Sequence, residues 1–208
     1  MLAIIDYGMG NTKSVANAFE LLGEEVEITD DPERIIASKA IILPGVGAFS
    51  KGMKNLQEKG LVKILENEII HKKKPYLGIC LGLQFLAEKS FEDGEHDGFG
   101  WLKGTVKKIA PQNSQLKVPQ MGWNDTKVVK NCRLMNELEE PVFYYLHSYC
   151  LEMDHSQTDV ITSICDYGGV DIVSTIEHDN IFAVQFHPEK SQTTGLKLLN
   201  NFLDTIRN

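Results

Sequence analysis

The chain has 208 residues, 42% of them hydrophobic and 24% charged, enough for one well-buried core and short for two full domains. A formal net charge of −8 argues against a nucleic-acid or anionic-membrane surface, and no stretch approaches the roughly 18 apolar residues that cross a bilayer. Cys80, Cys132, Cys150 and Cys165 lie far apart with no C-x-x-C spacing, which argues against a zinc ribbon or a redox dithiol, and no metal is expected. With no basic-then-apolar leader at Met1, these features lead to an expectation of a soluble, cytoplasmic protein.

Leu2–Asp6 reads as the first strand, the glycine loop Tyr7-Gly8-Met9-Gly10-Asn11 follows, and Thr12–Leu22 reads as a helix stopped by Gly23. The loop fails as a dinucleotide fingerprint, because the third glycine would fall on Lys13. Glu25–Ile28 is a second strand, and Asp30-Asp31-Pro32-Glu33 opens a short helix. Ala40–Leu43 is a third, running into Pro44-Gly45-Val46-Gly47-Ala48-Phe49, a turn whose glycines can aim backbone N–H groups at a ligand or simply make a tight bend. A helical stretch broken near Gly60 ends in Lys72-Lys73-Lys74, a run suited to a helix C-terminus. The next strand starts at Tyr76. Strand–helix alternation implies a parallel sheet covered on both faces, with ligands at the carboxyl ends of its strands.

After Lys89 the pattern turns β-rich. Thr105–Ile109, Thr126–Val129, Val142–Leu146, Val160–Cys165, Ile172–Ile176 and Ile181–Phe186 read as mostly antiparallel strands, and Gly195–Ile206 as a closing amphipathic helix. His178-Asp179-Asn180 reads as a hairpin turn. The expected fold class is therefore α/β: one domain over residues 1–208, with a central, mostly parallel sheet flanked by helices and an antiparallel C-terminal half.

Two stretches carry chemistry. Gly78-Ile79-Cys80-Leu81-Gly82 has the spacing of a nucleophile elbow, where flanking glycines relieve a sharp strand-to-helix turn and the helix start offers unpaired N–H groups. The competing reading of Cys80 is a buried cysteine acting as a small hydrophobe. The strand Ile181–Phe186 runs into His187-Pro188-Glu189, and among the six histidines only His187 combines a strand end with a carboxylate at i+2 across a proline. Such a carboxylate can fix an imidazole in one tautomer for general-base work.

Together these elements resemble the triad, or class I, glutamine amidotransferases. The elbow Gly78–Gln84 and the stretch Val184–Glu189 match that family's nucleophile and His/Glu motifs. Further likeness, in Ile5–Asn11, Leu43–Phe49, Met121-Gly122-Trp123-Asn124 and His187–Ser191, is to the glutaminase subunits of imidazole glycerol phosphate synthases. The resemblance implies a Cys80–His187–Glu189 triad that hydrolyses L-glutamine without a cofactor. It implies an oxyanion hole from Leu81 and the Gly45-Val46-Gly47 turn, with Gln84, Ser148 and Tyr149 holding the substrate. It also implies a heterodimer with a (β/α)8 cyclase subunit fed with ammonia, contacted near Asn11, Met121, Trp123, Tyr145 and Lys190. Gln120 stands where many relatives carry histidine, and the loop Glu92–Asp97 is longer and more acidic than expected. A paralogous subunit feeding a different synthase, an inactive subunit and a γ-glutamyl peptidase of the same fold are the alternatives.

Overall fold

The computed structural model describes residues 1–113, 115–139 and 141–207. Strands β1 (Leu2–Ile5), β2 (Val26–Thr29), β3 (Ile41–Gly45) and β4 (Tyr76–Cys80) alternate with helices α1 (Thr12–Leu21), α2 (Pro32–Ala37), α3 (Phe49–Glu58) and α4 (Leu61–Leu65). A π-helical turn, Glu66–His71, extends α4, and the four-residue α5 (Leu81–Gln84) follows β4 directly. β1, β3 and β4 are buried at every position, as strands covered on both faces must be.

The second half contributes β5 (Lys89–Ser90), β6 (His96–Asp97), β7 (Gly104–Lys108), β8 (Gln120–Asp125) and β9 (Lys127–Val128). Then come β10 (Val142–His147), β11 (Tyr149–Met153), β12 (Ile161–Asp166), β13 (Asp171–His178), β14 (Ile181–Val184) and α6 (Gln192–Arg207). The main sheet runs β2-β1-β3-β4-β14-β13-β12-β9, parallel from β2 to β14 and antiparallel beyond. β8 and β10 form a separate antiparallel ribbon, and β11, β7, β5 and β6 a third sheet.

Two apolar layers sandwich the main sheet. On one face Phe19 of α1 and Phe182 of β14 pack edge-on against Phe202 of α6, at ring-centroid distances of 6.4 and 5.6 Å. On the other, Ile35, Met53, Leu56, Leu61 and Leu65 from α2–α4 cover Ile41, Tyr76 and Ala183. Helix α2 starts where its sequence dictates: Pro32 occupies its first turn and the Asp31 carboxylate accepts the Glu33 N–H at 2.9 Å.

Several boundaries differ from the sequence reading. The strand expected at Thr126–Val129 is instead the six-residue β8 just upstream, leaving only the short β9. Thr126 turns inward there, its hydroxyl bonded to that of Tyr145 at 2.6 Å. β11 and the hairpin β5–β6 were not anticipated, because short strands with charged residues carry little alternation. Lys72-Lys73-Lys74 does not simply cap its own helix. Lys72 and Lys74 grip the buried Glu68 at 2.7 and 3.0 Å, while Lys74 also donates to the Ile35 and Ile36 carbonyls at the end of α2. Among the described residues no helix is long and apolar enough to cross a membrane.

Candidate active site

Parallel pairing places Gly45 opposite Cys80, so the turn after β3 and the elbow after β4 stand side by side at the carboxyl edge of the sheet. Cys80 has φ 55° and ψ −104°, a strained conformation for a residue with a side chain. Its neighbours must be glycine. A Cβ at Gly82 would lie 1.9 Å from the Leu43 carbonyl oxygen, and one at Gly78 would lie 2.6 Å from the Gly82 carbonyl oxygen. A cysteine kept only as core filler would not require this backbone.

The Cys80 side chain is nearly buried, at 5% exposure. Gln185 donates from Nε2 to its Sγ at 3.6 Å, and the Leu146 carbonyl oxygen lies 3.9 Å from the same sulfur. The Gln185 amide oxygen in turn accepts from Gln84 Nε2 at 3.2 Å, and Gln84 Nε2 also donates to the Tyr149 carbonyl at 2.8 Å. Gln84 thus has its amine end committed to the protein, leaving its amide oxygen as the group to offer a ligand. Gln185 belongs to the strand-end motif, but nothing in its sequence position showed that it would reach the sulfur.

β14 ends at Val184 and delivers His187 into the same place. Its Nδ1 donates to Glu189 Oε1 at 2.9 Å, with both side chains almost fully buried, and its backbone N–H donates to the Tyr144 carbonyl at 2.8 Å. Nε2 is buried without a hydrogen-bonding partner among the described residues. Burial works against a charge on this ring, but attraction to the Cys80 sulfur and then to Glu189 outweighs it, raising the His187 pKa from 6.5 to about 10. Ser191 locks the arrangement, its hydroxyl donating to the His187 carbonyl at 2.6 Å and accepting the Tyr144 N–H at 3.0 Å.

A cavity of about 380 Å³ opens above these groups. Val46, Gly47, Cys80, Leu81 and Gln84 line it with Ser148 and Tyr149, so the structure brings the sequence-predicted substrate residues other than Gly45 to one cavity. Two further residues, Glu92 and Tyr7, were missed. The Glu92 carboxylate, on the loop noted for its length and acidity but given no role, lines the cavity and accepts the Phe49 N–H at 2.8 Å. His147 lines it too, and Tyr7 lies beneath the Gly45 turn, its hydroxyl buried and unpartnered among the described residues. A larger open groove of about 800 Å³ beside α6 contains none of these residues.

The glutamine amidotransferase class-I family matches residues 3–206. The chain belongs to the class I glutamine amidotransferases. This amidotransferase is 45% identical over 207 residues to the imidazole glycerol phosphate synthase subunit HisH of Methanothermobacter thermautotrophicus, covering 100% of both chains. It is 47% identical over 201 residues to the HisH subunit of Aquifex aeolicus, covering 96% of this chain and 94% of that one. In fold it resembles PurLQS from Thermotoga maritima, with a TM-score of 0.74 at 21% identity, covering 99% of this chain and 98% of that chain.

On the β8–β10 ribbon of the amidotransferase, side chains alternate between the core and the outside. Met121 and Trp123 face outward, 62% and 47% exposed. Tyr145 does not join them, which corrects the sequence reading: it is fully buried, its hydroxyl bonded to Thr126 and Ser174. The outward tyrosine is Tyr144, whose ring meets Trp123 edge-on at 6.0 Å and lies 5.8 Å from the Lys190 ammonium. Strand parity explains the swap, since Tyr144 pairs with Trp123 and Tyr145 with Gly122. Asn11 sits half-buried at the start of α1 and accepts from the Ser14 hydroxyl at 2.8 Å.

Proposed function

We propose that this amidotransferase is a glutaminase subunit, acting as one domain over residues 1–208 in the cytoplasm. It supplies ammonia to a (β/α)8 cyclase partner that forms imidazole glycerol phosphate and an aminoimidazole carboxamide ribotide in histidine biosynthesis. The observation that carries the chemistry is the convergence of the strained Cys80 elbow with the buried His187–Glu189 pair at one cavity. The relatives named HisH, matched over their whole length, carry the choice of pathway.

The residues act in sequence. The Cys80 sulfur attacks the side-chain amide carbon of glutamine, with its proton held on His187 Nε2. Glu189, bonded to Nδ1, holds the ring in register and offsets its charge. The tetrahedral oxyanion is held by the Leu81 N–H and one N–H of the Gly45-Val46-Gly47 turn, each such donor contributing about 2.7–4 kcal/mol to the barrier reduction. Collapse expels ammonia, protonated by His187, and water hydrolyses the remaining glutamyl thioester. At the other end of the substrate, the Glu92 carboxylate faces the ammonium, the backbone at Ser148 and Tyr149 faces the carboxylate, and Gln84 contributes its amide oxygen.

The exposed Met121 and Trp123, with Tyr144 and Lys190 beside them and Asn11 at the start of α1, form the surface on which the cyclase docks. The test is glutamate release from glutamine by the chain alone and with its cyclase partner carrying ribotide substrate. A large gain with the loaded partner supports the reading. Glutaminase activity indifferent to the partner rejects the synthase assignment, and none in either case rejects the glutaminase.

A further inference from the structure

Beneath the ribbon lie two hydrogen-bond acceptors that nothing among the described residues satisfies. His147 and Gln120 are direct cross-strand partners, so their side chains emerge side by side on the inner face. They are 6% and 0% exposed. His147 Nε2 and Gln120 Oε1 are both buried without a partner among the described residues. Native folds seldom leave two such atoms on neighbouring side chains, because each lost its water on folding and recovered nothing.

The protein fixes the chemistry of both atoms. His147 Nδ1 lies 2.9 Å from the Tyr149 carbonyl oxygen, which only accepts, so the ring proton sits on Nδ1 and Nε2 carries a lone pair. Burial, aided by the nearby His187 and opposed by the Tyr149 hydrogen bond, lowers the ring to about 4, so it stays a neutral acceptor at physiological pH. Gln120 spends its amine end on Asn124 Oδ1 at 3.0 Å and on Cys165 Sγ at 3.4 Å, which turns its amide oxygen into the free group. His147 also lines the cavity that holds Cys80, and Asn124 lines a second, open cavity of about 900 Å³ farther along the ribbon. The acceptor pair thus adjoins the nucleophile's cavity through His147 and, through the Gln120–Asn124 hydrogen bond, a residue of the second.

We propose that His147 Nε2 and Gln120 Oε1 form a station for one small neutral hydrogen-bond donor, and that this donor is the ammonia released at Cys80. The proposal rests on the glutaminase reading above. Ammonia carries three N–H donors and fits where a side chain does not. A pair of lone pairs holds it without giving it a proton, and so keeps it a nucleophile. Water offers the same donor chemistry and is the competing occupant.

Two measurements decide it. In the chain labelled with ¹⁵N-histidine, the His147 Nε2 resonance is expected to move, saturably, as ammonium chloride is added at alkaline pH, with potassium chloride as the control. In Gln120→Met that response should weaken about 3–10-fold, the worth of one hydrogen bond. A resonance already shifted as a bonded acceptor and indifferent to ammonia assigns the space to water and overturns the proposal. In the complex with the cyclase, Gln120→Met should raise the glutamate released per imidazole product, because ammonia escapes before use. A ratio equal to that of the unaltered complex overturns the station. An unaltered chain that never supports glutamine-dependent synthesis overturns instead the reading beneath it, and the resonance measurement stands apart from that result.

Discussion

Gly45 is the register partner of Cys80 across two parallel strands, and that pairing sets the nucleophile beside the turn that would hold its oxyanion. The contact leaves no room for variation. A Cβ on Gly45 would fall 2.3 Å from the Tyr7 hydroxyl and 2.7 Å from Leu81 Cβ. The backbone of the turn is thus packed directly against the start of α5, where an N–H donor is needed.

Replacing the nucleophile tests the assignment most simply. Cys80→Ala should lower glutamine hydrolysis by at least about 10³-fold, while the complex still makes product from added ammonia. Loss of the ammonia-dependent reaction as well would mean that Cys80 supports the fold or the docking surface.

The elbow makes a stability prediction. Gly82→Ala forces a methyl group to within 1.9 Å of the Leu43 carbonyl oxygen, a backbone atom that cannot step aside. Urea unfolding should show a loss of about 3 kcal/mol, the upper end for overpacking a tight site. A variant of unaltered stability would show that the turn relaxes easily.

The Tyr7 hydroxyl is buried without a partner among the described residues, and burial followed by the proximity of Cys80 raises its pKa far above the ordinary tyrosine value. Tyr7→Phe removes an unsatisfied group and should stabilise the chain by about 1 kcal/mol. A destabilised Tyr7→Phe would reveal a partner for the hydroxyl.

Stability should fall at both ends of the pH range. His187 titrates higher folded, at about 10, than unfolded, near 6.5, so its contribution is complete below 6.5 and lost as pH rises through about 10. His147 titrates lower folded, at about 4, so its contribution is complete above 6.5 and lost as pH falls through about 4. Glu189→Gln removes one of the interactions that raise His187, and should flatten the alkaline limb while leaving the acid limb. Urea midpoints measured across the range check this; parallel curves for the two proteins would count against the His187–Glu189 coupling.

For the proposed docking surface, the two adjacent tyrosines should separate docking from folding. Trp123→Ala and Tyr144→Ala should weaken association with the cyclase by about tenfold or more, as loss of exposed aromatic anchors does. Tyr145→Phe should leave affinity unchanged and cost about 1 kcal/mol of stability, because its hydroxyl bonds Thr126 and Ser174 in the core. Titration calorimetry and urea unfolding read the two effects apart, and the reverse pattern would return Tyr145 to the interface.

Local chemistry made part of this protein legible without coordinates. Gly78-x-Cys80-x-Gly82 and His187-Pro188-Glu189 are short segments whose spacing points to an elbow and an oriented imidazole while leaving a core cysteine and a structural histidine open, and the alternating strands and helices before Lys89 point to a parallel sheet. Tertiary structure decided the rest. Which of Tyr144 and Tyr145 faces outward depends on a one-residue strand parity that two adjacent tyrosines do not reveal. That Gln185 touches the Cys80 sulfur, that Glu92 reaches the cavity and that His147 and Gln120 share an inner face are products of pairing between segments far apart in the chain. A sequence states which groups are present; only packing determines which polar atoms meet a partner and which are left waiting for one.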